Sequence, residues 1–561
     1  MENQRLLLWV AFTAVLYLLY QAWVTDTQPV VPASEPAAIE SPTPAPSQLP
    51  ALPTAQTSTA ATATPAPAPP AAQHGERIHV RTDVLDLDID TLGASLVRAD
   101  LLRYPVHKGE ADLVRLLDPT PATMFVLRSG MRAANGGPEP THEVVYKADA
   151  SEYVLGPEQN TLAVTLTWEE GGLIARTTYT FTRGSYAIQL HREITNGTGS
   201  AWSGASYIQL QRRHVPLKRS RTSVDAYSFM GPVFDNGHKY QRFKVDDLAK
   251  TPLNETVRGG WLASIQHHFV AAVVPDPTHT TAYSSNVQGD VYTLTAIDAE
   301  PLNVDNGQTA TSDDALFIGP KLQKQLKATA DRLDLTVDYG PMLTLIARPL
   351  FVLLSWLHSL TGNWGWSIVL VTVIIKVVFY KLSAASGRSM AKMRKLQPRM
   401  KALQERYADD RQELSRKMME LYKSEGANPM AGCLPILVQM PVFFALYWVL
   451  IESVEMRQAP FVLWINDLSS RDPYFILPLL MGVTMFAQQK LNPAPPDPVQ
   501  AKVMMLMPVI FTGLFAFFPA GLVLYWFVNN LLSILQQWRI NTVVEREGHR
   551  VKGTHKNASE G

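Results

Sequence analysis

Trp364-Gly365-Trp366-Ser367-Ile368-Val369-Leu370-Val371-Thr372-Val373-Ile374-Ile375-Lys376-Val377-Val378-Phe379-Tyr380 is an apolar run interrupted by a single cation. A stretch of this composition belongs in a lipid bilayer as a helix. At that depth Lys376 costs roughly 2.5–3.5 kcal/mol on insertion scales, so it needs water, a partner or a purpose. Three later apolar segments also carry side-chain amides: Gln439, then Gln488 and Gln489, then Asn529 and Asn530. A chain that tolerates such groups in several spans builds a wet cavity inside the membrane.

Working outward, the spans after Lys376 fall at about 430–451, 474–490, 503–518 and 521–538, with the Lys376 span itself at 363–382. Pro519-Ala520-Gly521 leaves almost no loop between the last two, which predicts a tight hairpin. Met342–Leu360 is apolar but holds Arg348, Pro349 and His358. It reads as a half-span or, better, as an interfacial amphipathic helix over 341–362. A further apolar run, residues 6–24, follows Arg5 and precedes Asp26. A cleaved signal peptide is the rival reading. The run exceeds the usual apolar core of one and no Ala-x-Ala site follows closely, so an uncleaved anchor over 1–24 is favoured.

Residues 25–75 are rich in Pro, Ala, Thr and Ser and lack Lys and Arg. Such a tract cannot offset its ordering entropy by burial and reads as an extended tether. Residues 76–340 alternate instead, as in Leu162-Ala163-Val164-Thr165-Leu166-Thr167-Trp168 and Ile174-Ala175-Arg176-Thr177-Thr178-Tyr179-Thr180-Phe181. Period two with β-branched and aromatic residues predicts half-buried antiparallel strands, and turn clusters such as Glu170-Gly171-Gly172 separate them. The expectation is a large soluble β-sandwich, closed by a short helix near Lys321–Arg332.

Charge sets the orientation. The 561-residue chain has no net charge, yet twelve Lys and Arg residues from Lys381 to Lys423 crowd the segment 383–428 and its margin, and the tail 539–561 is basic as well. Both should be cytoplasmic. The 452–473 loop carries Glu452, Glu455, Asp467 and Asp472 against Arg457 and Arg471, which suits the outer side. Six transmembrane helices then put both termini inside and the β-domain outside. Within 383–428, Met393, Leu396, Met400, Leu403 and Tyr407 are spaced three and four apart, and Leu414, Met418 and Leu421 repeat the spacing. With a break at Ala408-Asp409-Asp410-Arg411, this predicts two short amphipathic helices folded into an antiparallel hairpin. Its excess of cations favours anionic lipid or ribosomal RNA.

This orientation places Lys376, Gln439, Gln488 and Gln489 in the cytoplasmic half and Asn529 and Asn530 near mid-depth. Thr372 lies one turn from Lys376 on the same face. The inference is a hydrophilic recess open to the cytoplasm and shut toward the outside. The bland alternative is that Lys376 snorkels and the amides act as glue between helices. No Gly-x-x-x-x-Gly-Lys-Ser/Thr loop occurs, and the single cysteine, Cys433, has no His or second Cys at ligand spacing, so neither cofactor nor metal is expected.

Specific motifs then carry a resemblance. Gly362-Asn363-Trp364-Gly365-Trp366-Ser367, Met390-Ala391-Lys392-Met393-Arg394, Leu396-Gln397-Pro398, Asn428-Pro429, Gln439-Met440-Pro441-Val442-Phe443, Val454-Glu455-Met456-Arg457-Gln458-Ala459-Pro460-Phe461 and Phe518-Pro519-Ala520-Gly521-Leu522-Val523-Leu524-Tyr525-Trp526 cover residues 362–538 almost continuously. Gly259-Gly260-Trp261 and Gln266-His267-His268-Phe269 extend the match into the β-domain. The chain resembles the YidC/Oxa1/Alb3 family of membrane protein insertases in its Gram-negative form. The resemblance implies an inner-membrane protein: an N-terminal anchor, a periplasmic β-supersandwich, a five-helix insertase core over 363–538 and a cytoplasmic helical hairpin. It implies no enzymatic activity but insertion and chaperoning of nascent membrane proteins in the phospholipid bilayer. The implied partners are the Sec translocon (SecYEG, SecDF), the ribosome and the signal recognition particle pathway. The implied groove set is Lys376, Thr372, Gln439, Gln488, Asn529, Asn530 and Trp526, with Met393, Leu396, Met400 and Leu403 on the hairpin. The family's usual groove cation is arginine, so lysine keeps the charge but loses the planar fork.

Two readings compete. A secondary transporter could use Lys376 as a coupling charge, although no inverted repeat is evident. The β-domain could be a sugar enzyme with His267 and His268 as its acid and base. Adjacent residues of an alternating strand point to opposite faces, however, so a docking surface is favoured over catalysis.

Overall fold

The computed structural model describes residues 49–52, 75–134, 136–215, 228–340, 343–407, 410–426, 434–491 and 498–557. The expected anchor 1–24, most of the linker and Cys433 lie outside the described residues.

Residues 77–320 fold into two stacked β-sheets, one of eleven strands and one of nine. The alternating segments behave as their period requires. Thr161–Glu170 and Leu173–Thr182 pair antiparallel about the Gly171-Gly172 turn, with Val164 opposite Tyr179. Val164, Leu166, Tyr179 and Phe181 are buried in the core between the sheets. Leu85-Asp86-Leu87-Asp88-Ile89-Asp90 does the same with charge on its outer face. There Arg98 from the next strand donates to Asp86, Asp88 and Asp100. Three carboxylates around one guanidinium are tolerable because the fork can serve several oxygens at once.

Among the described residues two short α-helices belong to this domain, α1 (Val245–Lys250) and α2 (Gln323–Thr329), the second where a closing helix was expected. His267 and His268 correct an expectation. They lie in the turn between strands Trp261–Ile265 and Phe269–Pro275, not within a strand, so the opposite-faces rule does not act on them. Their rings stack with centroids 3.8 Å apart.

The helical part comprises α3 (Thr344–Thr361), α4 (Trp364–Val378), α5 (Tyr380–Arg406), α6 (Arg411–Ser424), α7 (Leu434–Glu452), α8 (Ile476–Leu491), α9 (Pro498–Phe515) and α10 (Ala520–Asn557). Gly362 ends α3 in the left-handed region at φ 64°, where a side chain is costly. Asn363 then caps α4, its side-chain oxygen accepting from the Gly365 and Trp366 amides. α3 buries Ala347, Leu350, Phe351, Leu354 and Leu357 and exposes Leu345, Val352, Trp356 and Leu360. Among the described residues it is the one unbent helix long and apolar enough to cross a bilayer, although an interfacial position was expected for it.

Two further expectations are corrected. The span at 363–382 is not one straight helix: α4 stops at Val378 and α5 leaves at 68° to it. α5 is also not short, running for 27 residues. The last two spans reverse within the four residues between Phe515 and Ala520, and the Phe515 ring meets the Trp526 ring across the turn. Ser470 and Leu468 carbonyls in the preceding loop receive the Ala520 and Gly521 amides, and α10 packs against α8 and α4 while α9 also packs on α8. α8 and α9 expose Leu479, Val483, Phe486, Val503, Leu506, Val509, Ile510 and Leu514, a surface suited to hydrocarbon.

Candidate functional site

The site builds from α4 and α10. Ile368, Val371, Thr372 and Ile375 bury one stripe of α4, which packs along α10 and brings the last turn of α4 against the middle of that helix. Lys376 stands in this last turn, two residues before the bend. The negative end of the helix dipole lies there, and it favours a cation. The Lys376 ammonium donates to the Ser533 hydroxyl at 2.7 Å, and that hydroxyl donates to the Asn529 carbonyl at 2.7 Å. Among the described residues no carboxylate lies within ion-pair distance of Lys376.

Other polar side chains lie along α10. Trp526, Asn530 and Ser533 follow at intervals of four and three, which is one helix face. Trp526 Nε1, Asn530 Nδ2 and Gln536 Nε2 are buried without a hydrogen-bond partner among the described residues, as is Ser383 Oγ on α5. Unpaired buried donors cost about 1–3 kcal/mol each, so each of these atoms has a reason to meet water or a transient partner.

The other candidates are placed differently. Thr372 is fully buried, and its hydroxyl turns back to the Ile368 carbonyl at 2.7 Å, so it seals the α4 side rather than reaching the ammonium. Gln439 on α7 and Gln488 on α8 are half-buried, and no hydrogen bond described joins either to Lys376. Trp526 also belongs to an aromatic junction: its ring meets Phe443 of α7 at 4.8 Å and Phe515 of α9 at 5.4 Å. Sequence reasoning missed Ser533, Gln536 and Ser383. Ser533 lies four residues after Asn529 and could have been found by carrying the helical spacing one turn further.

In the basic segment, α5 and α6 pack through Leu396, Met400 and Met418, with Met393, Leu403, Leu414 and Leu421 around them. Asp410 caps α6 by accepting from the Gln412 and Glu413 amides. The C-terminal end of α7 meets the β-domain. His267 Nε2 lies 3.1 Å from the Ile451 carbonyl, Ser228 donates to the buried Glu452, and Lys108 donates to the Gln458 and Asn466 carbonyls. Arg457 donates to the Pro105 and Val106 carbonyls. Burial brings the nearby Lys321 down to about 8 against the pull of Glu452, and raises Glu455 to about 7.

Comparison with known proteins bears on this arrangement. Residues 77–353 match the YidC periplasmic domain, and residues 356–547 match the 60Kd inner membrane protein family. The membrane protein insertase YidC of Nitrosococcus oceani is 49% identical over 98% of this chain and 100% of its own length. The chain belongs to the YidC family of membrane protein insertases. The relative from Thioalkalivibrio sulfidiphilus, also named membrane protein insertase YidC, is 46% identical over 98% of this chain and 100% of its own. A crystal structure of an active YidC insertase with its first transmembrane domain resolved shares 18% identity, covers 82% of this chain and 94% of that one, and has a TM-score of 0.38. YidC relatives are insertases and not enzymes, and nothing in these matches supports the transporter reading. The YidC periplasmic-domain match and the inner-membrane match meet inside α3.

Proposed function

We propose that this chain inserts nascent inner-membrane proteins and assists their folding, using the polar recess between α4 and α10 as the entry path. The observation that carries the mechanism is a cation held by a neutral hydroxyl within apolar helices, with the unpaired Asn530 Nδ2 one turn from that hydroxyl on α10. A substrate segment crossing hydrocarbon loses several kcal/mol for each unsatisfied polar group. A recess from the cytoplasm shortens the dry path, and Lys376 attracts the segment's carboxylates on the way. The substrate's apolar helix then partitions into lipid, gaining about 0.8 kcal/mol per buried CH₂. The membrane potential adds about 2.3 kcal/mol per charge per 100 mV for acidic segments. No nucleotide is needed.

In this reading the termini and the α5–α6 hairpin are cytoplasmic, and the hairpin first engages the incoming chain through Met393, Leu396, Met400 and Leu403. Ribosomes, the signal recognition particle pathway and the Sec translocon deliver or share substrates. The deciding experiment reconstitutes the protein alone in liposomes and measures insertion of a short one-span protein. Protease-protected substrate above the empty-liposome level is the expected result. No gain over empty liposomes refutes autonomous insertion.

A further inference from the structure

The outer face of the eleven-stranded sheet carries a cleft of about 260 Å³ far in sequence from the helical core. Register explains its lining. Arg128 pairs with Gln209, Gln209 with Thr295, and Thr295 with Ser284, which makes one row across four strands. Gln211 and Thr293 begin a second row beside it. Side chains two residues apart on a strand share a face, so both rows point the same way, opposite to core residues such as Ile208 and Leu210. Gln209, Gln211 and Thr295 are nonetheless buried, which makes this a recess and not a solvated sheet face.

Two features define what fits. First, among the described residues the cleft lining contains one charge and no carboxylate. Arg128 has no carboxylate within ion-pair distance among the described residues. Asp90 and Glu143 act on it only through space, and burial pulls its pKa below the ordinary guanidinium value. Second, one wall is already a stretch of peptide. Leu49, Pro50 and Ala51 line the cleft, Arg132 donates to the Pro50 carbonyl at 2.7 Å, and Leu49 and Leu52 pack on Ala205, Tyr207 and Ile297. This surface therefore holds main chain through a side-chain donor and apolar pockets, a peptide-binding mode.

We infer that the cleft docks an acidic, extended peptide segment, with its carboxylate on Arg128 and its main chain along the amide and hydroxyl rows beside Leu49–Ala51. The inference rests on the insertase reading, because acidic segments delivered across the membrane emerge on the side of this domain. The volume suits a few residues and not a folded partner. A guanidinium surrounded by neutral hydrogen-bonding groups discriminates carboxylate from amide by a charge-assisted pair.

The test uses the full-length protein in detergent and a fluorescein-labelled peptide of Glu, Ser and Pro, followed by fluorescence anisotropy. Saturable binding is expected, weaker by about tenfold for the peptide with Gln in place of Glu and for Arg128→Gln, with Arg128→Lys between them. The Gln peptide on the wild-type protein keeps the test valid if Arg128→Gln does not fold. Absence of saturable binding, equal binding of the Glu and Gln peptides, or equal binding by a folded Arg128→Gln protein overturns the inference. Competition by glucuronate as strong as that of unlabelled peptide also overturns it, in favour of a small acidic ligand. Liposome insertion is scored on the same preparation. Insertion without peptide binding defeats the cleft alone, whereas loss of insertion by the wild type defeats the reading beneath it.

Discussion

Removing the charge at Lys376 should sort substrates by the acidity of the segment they send across. The ammonium has a neutral partner, Ser533 at 2.7 Å, and no carboxylate at ion-pair distance among the described residues, so its field is not cancelled locally. A substrate carboxylate about 4 Å away gains about 4 kcal/mol at an effective dielectric of 20. Solvent screening and desolvation of the carboxylate reduce this to about 1–2 kcal/mol. Lys376→Ala should therefore slow insertion of substrates with acidic segments by about five- to thirtyfold. Substrates with neutral segments should change by less than about twofold, because neither state gains from the charge. Lys376→Arg should stay within about threefold of wild type, and Lys376→Glu should be worse than Ala for acidic segments only. Ser533→Ala keeps the ammonium and should cost less than Lys376→Ala. The assay is initial-rate insertion into proteoliposomes, comparing one-span proteins that differ only in Asp or Asn in the translocated segment. If Ala, Glu and wild type insert acidic and neutral substrates at equal rates, the role assigned to the charge is refuted.

Trp526→Phe removes an unpaired buried N–H, so thermal unfolding in detergent should rise or hold while insertion falls; a drop in both marks a structural role. Gly365→Ala places a methyl group into the Phe461 ring and should destabilise the junction of α4 with the outer loop by about 1–3 kcal/mol, read as a lower unfolding midpoint. Met400→Ala should loosen the α5–α6 pair by about 2 kcal/mol, seen as faster proteolysis within the hairpin at an unchanged melting of the β-domain. Burial, with Arg128 and Arg132 nearby, drives His142 down from 6.5 to about 3. A depressed histidine stabilises the fold above the unfolded pKa, and that contribution shrinks as pH falls below 6.5. The loss should be about 2 kcal/mol by pH 5, and His142→Phe should flatten the pH dependence of near-ultraviolet circular dichroism melting.

Patterns with a strict period were readable in the chain. Val164 and Tyr179 meet in the core because period two leaves a half-buried strand no other choice. Met400 and Met418 meet because three-and-four spacing gives each helix a single apolar stripe. What escaped was decided by single backbone groups or by contacts distant in sequence. The bend after Val378 has no proline to announce it. The seat of the α10 N-terminus depends on where the Ser470 and Leu468 carbonyls stand. His267 and His268 stack because their segment is a turn, which an alternating pattern around them concealed. Lys376 was visible as an anomaly of composition, but its partner was not, since Ser533 is a small residue unremarkable in any helix.

The bend also bears on why a lysine can stand there without a carboxylate. Insertion costs roughly 2.5–3.5 kcal/mol at the centre of a span. A helix C-terminus returns about 0.3–1 kcal/mol to a cation, and a hydrogen bond from a charged donor about 1.5–3 kcal/mol. Ending α4 two residues after Lys376 and placing Ser533 opposite it thus offsets most of the cost with neutral groups alone. A carboxylate partner would offset the same cost but cancel the field that a passing substrate senses. The combination of a helix end and a hydroxyl holds the cation in place and leaves its charge available. This makes Ser533→Asp the sharpest single substitution: it should leave or raise thermal stability yet reduce insertion of acidic segments toward the Lys376→Ala rate, and a fully active Ser533→Asp protein would show that the charge is not used.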